Sequence, residues 1–151
     1  MYAGTPMGTI TRKQESGSVD AALIQRGQNS NVFLCGNEVA DGKVFTTNGG
    51  TFPQNTKIYA YGATTTYVDE GTISGRITDT NFSGTYDNIY FTGLMKTNAV
   101  AQNGDSGGPV LTAYGDDYAI IGIMKALDGG KMVYVTMDSI RTAFDLNAVT
   151  P

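Results

Sequence analysis

The stretch Gly104-Asp105-Ser106-Gly107-Gly108-Pro109-Val110 places one serine among small residues on what reads as a tight turn. Gly104 allows the backbone to bend so that amide N–H groups converge on one point. The amides of Gly104 and Ser106 would then form an oxyanion hole beside the serine hydroxyl. The two glycines after the serine leave room for a substrate backbone, and the proline opens the next strand. A glycine-rich hairpin loop would explain a lone Asp-Ser-Gly, but seven consecutive matches favour a nucleophile loop.

This heptad resembles the nucleophile loop of the chymotrypsin-like (trypsin-fold) serine proteases, and it is most similar to the small bacterial, streptogrisin-like members. Other segments resemble further parts of the same family, and they are residues 20–24, 61–65 with 71–73, 96–103 and 121–123. The resemblance therefore runs from about residue 20 to residue 144. It implies peptide or protein substrates and an acyl-enzyme formed at Ser106.

The chain contains no histidine. In the resembling family, a histidine oriented by an aspartate takes the proton from the serine hydroxyl. That histidine lies upstream of the aspartate, in a part of the fold that this sequence does not contain, so the chain resembles the C-terminal part of the family. A serine hydroxyl without a base is a poor nucleophile at neutral pH, and we therefore expect the isolated chain to be inactive.

The resemblance assigns three catalytic positions, with Ser106 as the nucleophile, Asp20 as the orienting carboxylate and Gly104 in the oxyanion hole. Two alternatives stay open, namely a relic serine in a pseudoenzyme and a strand-start aspartate that bonds nearby backbone. In the family, the aspartate at position 105 makes a buried ion pair that holds the loop. The possible cations are Arg76 and Lys96.

The substrate pocket of the resembling family implies a role for four further residues, which are Val100, Gln102, Lys125 and Leu127. Val100 stands at the selectivity position, where a preference for Lys or Arg needs a carboxylate, so we do not expect that preference. Leu127 replaces a glycine and would narrow the pocket. Lys125 replaces a serine that touches the triad aspartate, which predicts an ion pair with Asp20. The alternative is a Ser–Lys dyad with Ser106.

Composition limits the other possibilities. The net charge is −4, from 14 acidic and 10 basic side chains, and no Lys/Arg cluster favours nucleic-acid binding. Without histidine or clustered cysteines and carboxylates, we expect no metal and no cofactor. The N-terminus shows neither a signal peptide nor a membrane span, and Cys35, alone, cannot form an intramolecular disulfide. We interpret Cys35 as a small buried residue rather than a reactive thiol; secreted relatives usually carry several cysteines, and the location of the protein stays open.

Frequent turn signals and short apolar runs predict an all-β fold of two trypsin-like Greek-key barrels. Residues 1–50 would form a partial first barrel that carries Asp20, and residues 51–151 a complete second barrel with the nucleophile loop. The predicted strands of the second barrel are 57–61, 71–78, 88–94, 110–114, 118–124 and 131–136. One predicted turn is at residues 83–84. A final helix would begin at Asp138 as N-cap and would bury Ile140, Ala143 and Phe144.

The first half has room for about three strands, whereas the family's first barrel has six. Exposed strand edges and half a core would then need a partner, such as a second copy, a separately encoded N-terminal fragment or an exchanged strand. The function favoured by the sequence is a serine endopeptidase whose isolated chain is inactive. The alternatives are a pseudoprotease that binds a protein partner and, more weakly, a structural or phage-type assembly protein.

Overall fold

The computed structural model describes residues 8–25, 33–35, 38–40, 44–45, 52–115 and 117–145, which form strands and one short helix, as the sequence predicts. The strands of the first half are β1 (Thr9–Ser16), β2 (Val19–Gln25), β3 (Phe33–Cys35), β4 (Glu38–Ala40) and β5 (Val44–Phe45). The second half contains β6 (Lys57–Ala60), β7 (Ile73–Tyr86), β8 (Ile89–Val100), β9 (Pro109–Tyr114), β10 (Asp117–Asp128), β11 (Lys131–Thr136) and α1 (Met137–Phe144).

Strands β6 to β11 close into a six-stranded antiparallel barrel. Their order is β11-β8-β7-β6-β9-β10, and β11 also pairs with β10, which completes the ring. Alternate residues of these strands point inward, and Ile58, Ile77, Val110 and Tyr134 are fully buried in the resulting core. The closed second barrel confirms the prediction and leaves no free edge around the ring.

The hairpin between β7 and β8 is longer than the sequence indicates, and the predicted turn at residues 83–84 is wrong. β7 continues to Tyr86, and the turn lies at Asp87 and Asn88, whose φ angles are 51° and 64°. Two successive positive φ angles are typical of a type I′ turn, and Asp and Asn adopt them at low cost. Gly84 lies inside β7, where an added Cβ would sit 3.0 Å from the Tyr86 ring, so it provides space rather than a turn.

The β1–β2 hairpin and α1 pack together against the outside of the barrel. Val19 from β2 and Phe144 from α1 share a second apolar cluster with Phe91 of β8 and Val133 of β11. The N–H of Thr92 also donates to the carbonyl of Gly17 at 2.8 Å. This packing brings β2, the strand that carries Asp20, against the second barrel.

The helix begins one turn-position earlier than predicted. Its N-cap is Thr136 rather than Asp138, since the Thr136 hydroxyl accepts a hydrogen bond from the Ser139 N–H at 3.1 Å. Asp138 instead lies in the first turn, where its negative charge is favourable. Ile140 and Phe144 are buried as predicted, but Ala143 is exposed. No helix in the described ranges is long and apolar enough to cross a membrane.

The rest of the first half forms small pieces of sheet. β3 pairs with β4, and β5 pairs in parallel with β10 at Tyr118 and Ala119. The β5–β10 hydrogen bonds cross the domain boundary predicted at residue 50, and that boundary stays a prediction. The turns predicted at residues 36–37, 41–42 and 48–50 and the environment of the Cys35 side chain lie outside the described residues.

Candidate active site

Asp105 anchors the loop that carries Ser106. Its side chain is only 2% exposed, and its carboxylate accepts N–H hydrogen bonds from Thr64 (2.9 Å), Thr65 (2.8 Å) and Gln102 (2.8 Å). The Thr65 hydroxyl donates a fourth hydrogen bond. Burial by itself raises the pKa of this carboxyl, but the hydrogen bonds from Thr65, Gln102 and Thr64 outweigh burial and lower the pKa below its ordinary value.

The cation predicted for Asp105 is not among its partners within the described residues. Arg76 donates to the backbone carbonyl of Asn55 at 2.6 Å, and Lys96 forms an ion pair with Asp128. Backbone amides therefore replace the ion pair that the resemblance implies. They can do so because a carboxylate that receives several N–H bonds is stabilised without a full positive charge.

The loop backbone is locked against β10. The N–H of Gly107 donates to the Met124 carbonyl at 2.8 Å, and the Met124 N–H donates back to Gly108 at 2.9 Å. Gly104 has a φ of 97°, and a Cβ there would collide with the Thr64 hydroxyl oxygen, so the position requires glycine. The hydrogen bonds within the loop use the N–H groups of Asp105 and Gly108. The oxyanion-hole role of the Gly104 and Ser106 amides stays a prediction.

Ser106 is exposed at the surface of the loop, and its hydroxyl donates to the backbone carbonyl of Lys125 at 3.3 Å. Lys125 lies at a β-bulge of β10, because Met124 pairs with Tyr134 while Ala126 pairs with the preceding residue of β11. A bulge leaves one residue outside the ladder and changes the direction of its side chain. The hydroxyl of Ser106 therefore contacts a carbonyl, which accepts a hydrogen bond but cannot remove a proton.

Lys125 and Asp20 form an ion pair, which confirms the prediction made from the sequence. The Lys125 side chain is 12% exposed and the Asp20 side chain 25%, so both charges are largely shielded from water. The Lys125 ammonium also lies 4.7 Å from the centre of the Phe91 ring, a favourable cation–π distance. The alternative dyad is not formed, since Ser106 bonds to the backbone of Lys125 and the ammonium bonds to Asp20.

A cavity of about 390 Å³ opens beside Ser106, within the range of small-ligand sites. Of the predicted pocket residues, Gln102, Lys125 and Leu127 line it. The structure does not bring Val100 to this cavity: Val100 lies at the end of β8, pairs with Lys131 and is 60% exposed.

The sequence analysis missed one wall of the cavity, which the tip of the β7–β8 hairpin forms with Thr85, Tyr86 and Asp87. The signal that could have found this wall is the Asp87-Asn88 dipeptide, a pair suited to a two-residue hairpin turn. Burial, assisted by the negative charge of Asp128, raises the pKa of Tyr86 above its ordinary value. Within the described ranges, no group of three or more histidine, cysteine, aspartate or glutamate side chains could hold a metal ion.

No protein-family profile matches the sequence, and no curated protein matches it. Solved structures do match. A chymotrypsin from Cellulomonas bogoriensis has a TM-score of 0.68 and 24% identity over 89% of this chain and 71% of its own. A protease from Nocardiopsis gives 0.70 and 22% over 93% and 72%. A glutamic-acid-specific serine protease, described as using a histidine triad in substrate binding, gives 0.76 and 18% over 99% and 77%. The chain therefore has the fold of the bacterial chymotrypsin-like serine proteases, as predicted.

Proposed function

We propose that this chain is a trypsin-fold module that binds peptide segments in the cavity beside Ser106 and, as the 151-residue polypeptide, does not hydrolyse them. The observation that carries the proposal is the use of Lys125: its carbonyl accepts the Ser106 hydroxyl, and its ammonium pairs with Asp20. An ammonium held by a carboxylate has no lone pair to accept a proton from serine. With no histidine in the chain, Ser106 lacks a general base.

The peptide-binding part of the proposal is supported by the features that remain in place. The loop around Ser106 is anchored by the Asp105 hydrogen bonds, and Gly107 and Gly108 keep its surface free of side chains. The adjacent cavity combines polar groups with the apolar side chains of Met124 and Leu127. Such a mixture is typical of sites that bind a side chain and orient it through a few polar contacts.

The second candidate function is peptide-bond hydrolysis through an acyl-enzyme at Ser106, with the general base supplied by residues outside this chain. The ordered Asp105 anchor and the φ of Gly104 favour it, because both preserve the loop shape that such a reaction needs. A second copy of the chain could not supply a histidine, since the sequence has none. The base would come from a polypeptide of different sequence, such as an N-terminal fragment.

Labelling with a fluorophosphonate, followed by intact-mass spectrometry, tests the absence of a base. We expect no adduct on the purified chain after an incubation that labels an active serine protease to completion. Ser106→Ala is the matched control that would identify any slow adduct as specific to this serine. Rapid, stoichiometric labelling at Ser106 would contradict the proposal and would favour hydrolysis by the chain alone.

A further inference from the structure

The tip of the β7–β8 hairpin brings a carboxylate to the cavity beside Ser106. Tyr86 and Ile89 are the last paired residues of the hairpin, and Asp87 and Asn88 form the two-residue turn between them. A type I′ turn matches the right-handed twist of its strands, so the turn is held in one geometry. Asp87 is therefore presented at the cavity by a defined element of structure, although it lies far from Ser106 in sequence.

Three charged side chains line the cavity, and two of them are already compensated. The Asp105 carboxylate is buried and receives four hydrogen bonds from Thr64, Thr65 and Gln102. The Lys125 ammonium is paired with Asp20. Asp87 is exposed, and no described residue forms an ion pair with it. The charge that a ligand meets in this cavity is thus the negative charge of Asp87.

The apolar part of the lining suits the same kind of ligand. Met124, Leu127 and Met132 provide a surface for a hydrocarbon stem, while Asp87 lies at an exposed part of the lining. Lysine and arginine bury their methylene groups against apolar surface and keep the charged end near water. The net charge of −4 also attracts cationic partners in general.

We propose that Asp87 is the specificity-determining residue of the cavity and selects peptide segments that carry a lysine or arginine side chain. The inference rests on the proposed peptide-binding function and names its ligand class. It differs from the expectation drawn from Val100, which lies outside the cavity. The preference comes from a hairpin turn rather than from the residue six positions before the serine.

An NMR titration of the ¹⁵N-labelled chain with peptides Ala-Ala-Xaa-Ala-Ala, acetylated and amidated, tests the inference. Xaa is lysine, arginine, norleucine or glutamate, and the amide signals of the Ser106 loop report binding. We expect the lysine and arginine peptides to bind about fivefold more tightly than the norleucine peptide, the effect of one partly exposed ion pair. The glutamate peptide should bind most weakly, and the differences should shrink as salt is added.

Two variants separate a local effect from a general one. Asp87→Asn keeps a residue that tolerates the positive φ and should reduce the lysine-to-norleucine ratio to about one. Asp145→Asn removes the same charge at the same φ of 51°, at the end of α1, and should leave the ratio unchanged. Equal binding of the lysine and norleucine peptides, or a preference that survives in Asp87→Asn, would overturn the inference and leave the peptide-binding proposal standing. Failure of every peptide to shift the loop signals would overturn both.

Discussion

Lys125 of β10 and Asp20 of β2 form an ion pair that joins the second barrel to the β1–β2 hairpin. Both side chains are at least three-quarters shielded from water, so each charge depends on the other for its compensation. Removal of one partner leaves the other charge poorly solvated, whereas removal of both leaves only a packing change.

A double-mutant cycle measures this dependence. We expect Asp20→Leu and Lys125→Met each to lower the free energy of unfolding by about 2–3 kcal/mol, since each leaves one shielded charge unpaired. The double variant should lose less than the sum of the two, with a coupling of about 1–2 kcal/mol. Urea denaturation at pH 7 gives all four values. Additive losses would show that the two residues act independently.

The stability of the protein should depend on pH through Asp105. The folded state lowers the pKa of this carboxyl below 3.8, so its contribution is complete above the unfolded pKa and is lost as pH falls through the folded pKa. We expect Asp105→Asn to cost about 2–4 kcal/mol at pH 7, because the amide group places N–H donors against the N–H groups of Thr64 and Thr65.

The measurement for Asp105 is urea denaturation of the wild type and Asp105→Asn between pH 3 and pH 7. The gap between the two should be constant above about pH 5 and should narrow toward pH 3, because only the wild type gains a proton there. Asp145→Asn, at the exposed C-cap of α1, serves as the matched control and should show a small gap at every pH. A gap for Asp105→Asn that does not change with pH would contradict the assignment.

The β1–β2 hairpin leads us to propose self-association. In the part of the chain that the structure describes, β1 and β2 form a two-stranded sheet. Ile10 and Ile24 are cross-strand partners and are 60% and 40% exposed. We expect sedimentation velocity at low micromolar concentration to show a dimer that Ile10→Lys converts to monomer. Val68→Lys, which alters another exposed apolar side chain, is the control. A wild-type monomer would mean that the hairpin needs no partner.

The site could be predicted from the sequence where the chemistry is local or where the resemblance supplies a partner. The heptad around Ser106 identified the nucleophile loop, and the serine replaced by Lys125 led to the ion pair with Asp20. The amide donors of Asp105 could not be predicted, because Thr64 and Thr65 lie about 40 positions upstream and contribute backbone rather than side chains. Asp87 was missed for a related reason. Three register shifts along β7 and β8 decide where their turn falls, and sequence pattern alone does not fix them.

Substitutions at the hairpin turn test where the chain reverses. Asn88 has a φ of 64°, so Asn88→Gly should stabilise the fold by about 0.5 kcal/mol and Asn88→Val should cost about 1–2 kcal/mol. Ser83 is an exposed residue within β7, and Ser83→Val should change stability by less than about 0.5 kcal/mol, since β-branched residues suit strands. Thermal denaturation of the three variants distinguishes the two possible turns. A large loss in Ser83→Val with a neutral Asn88→Val would return the turn to residues 83–84 and would move Asp87 away from the cavity.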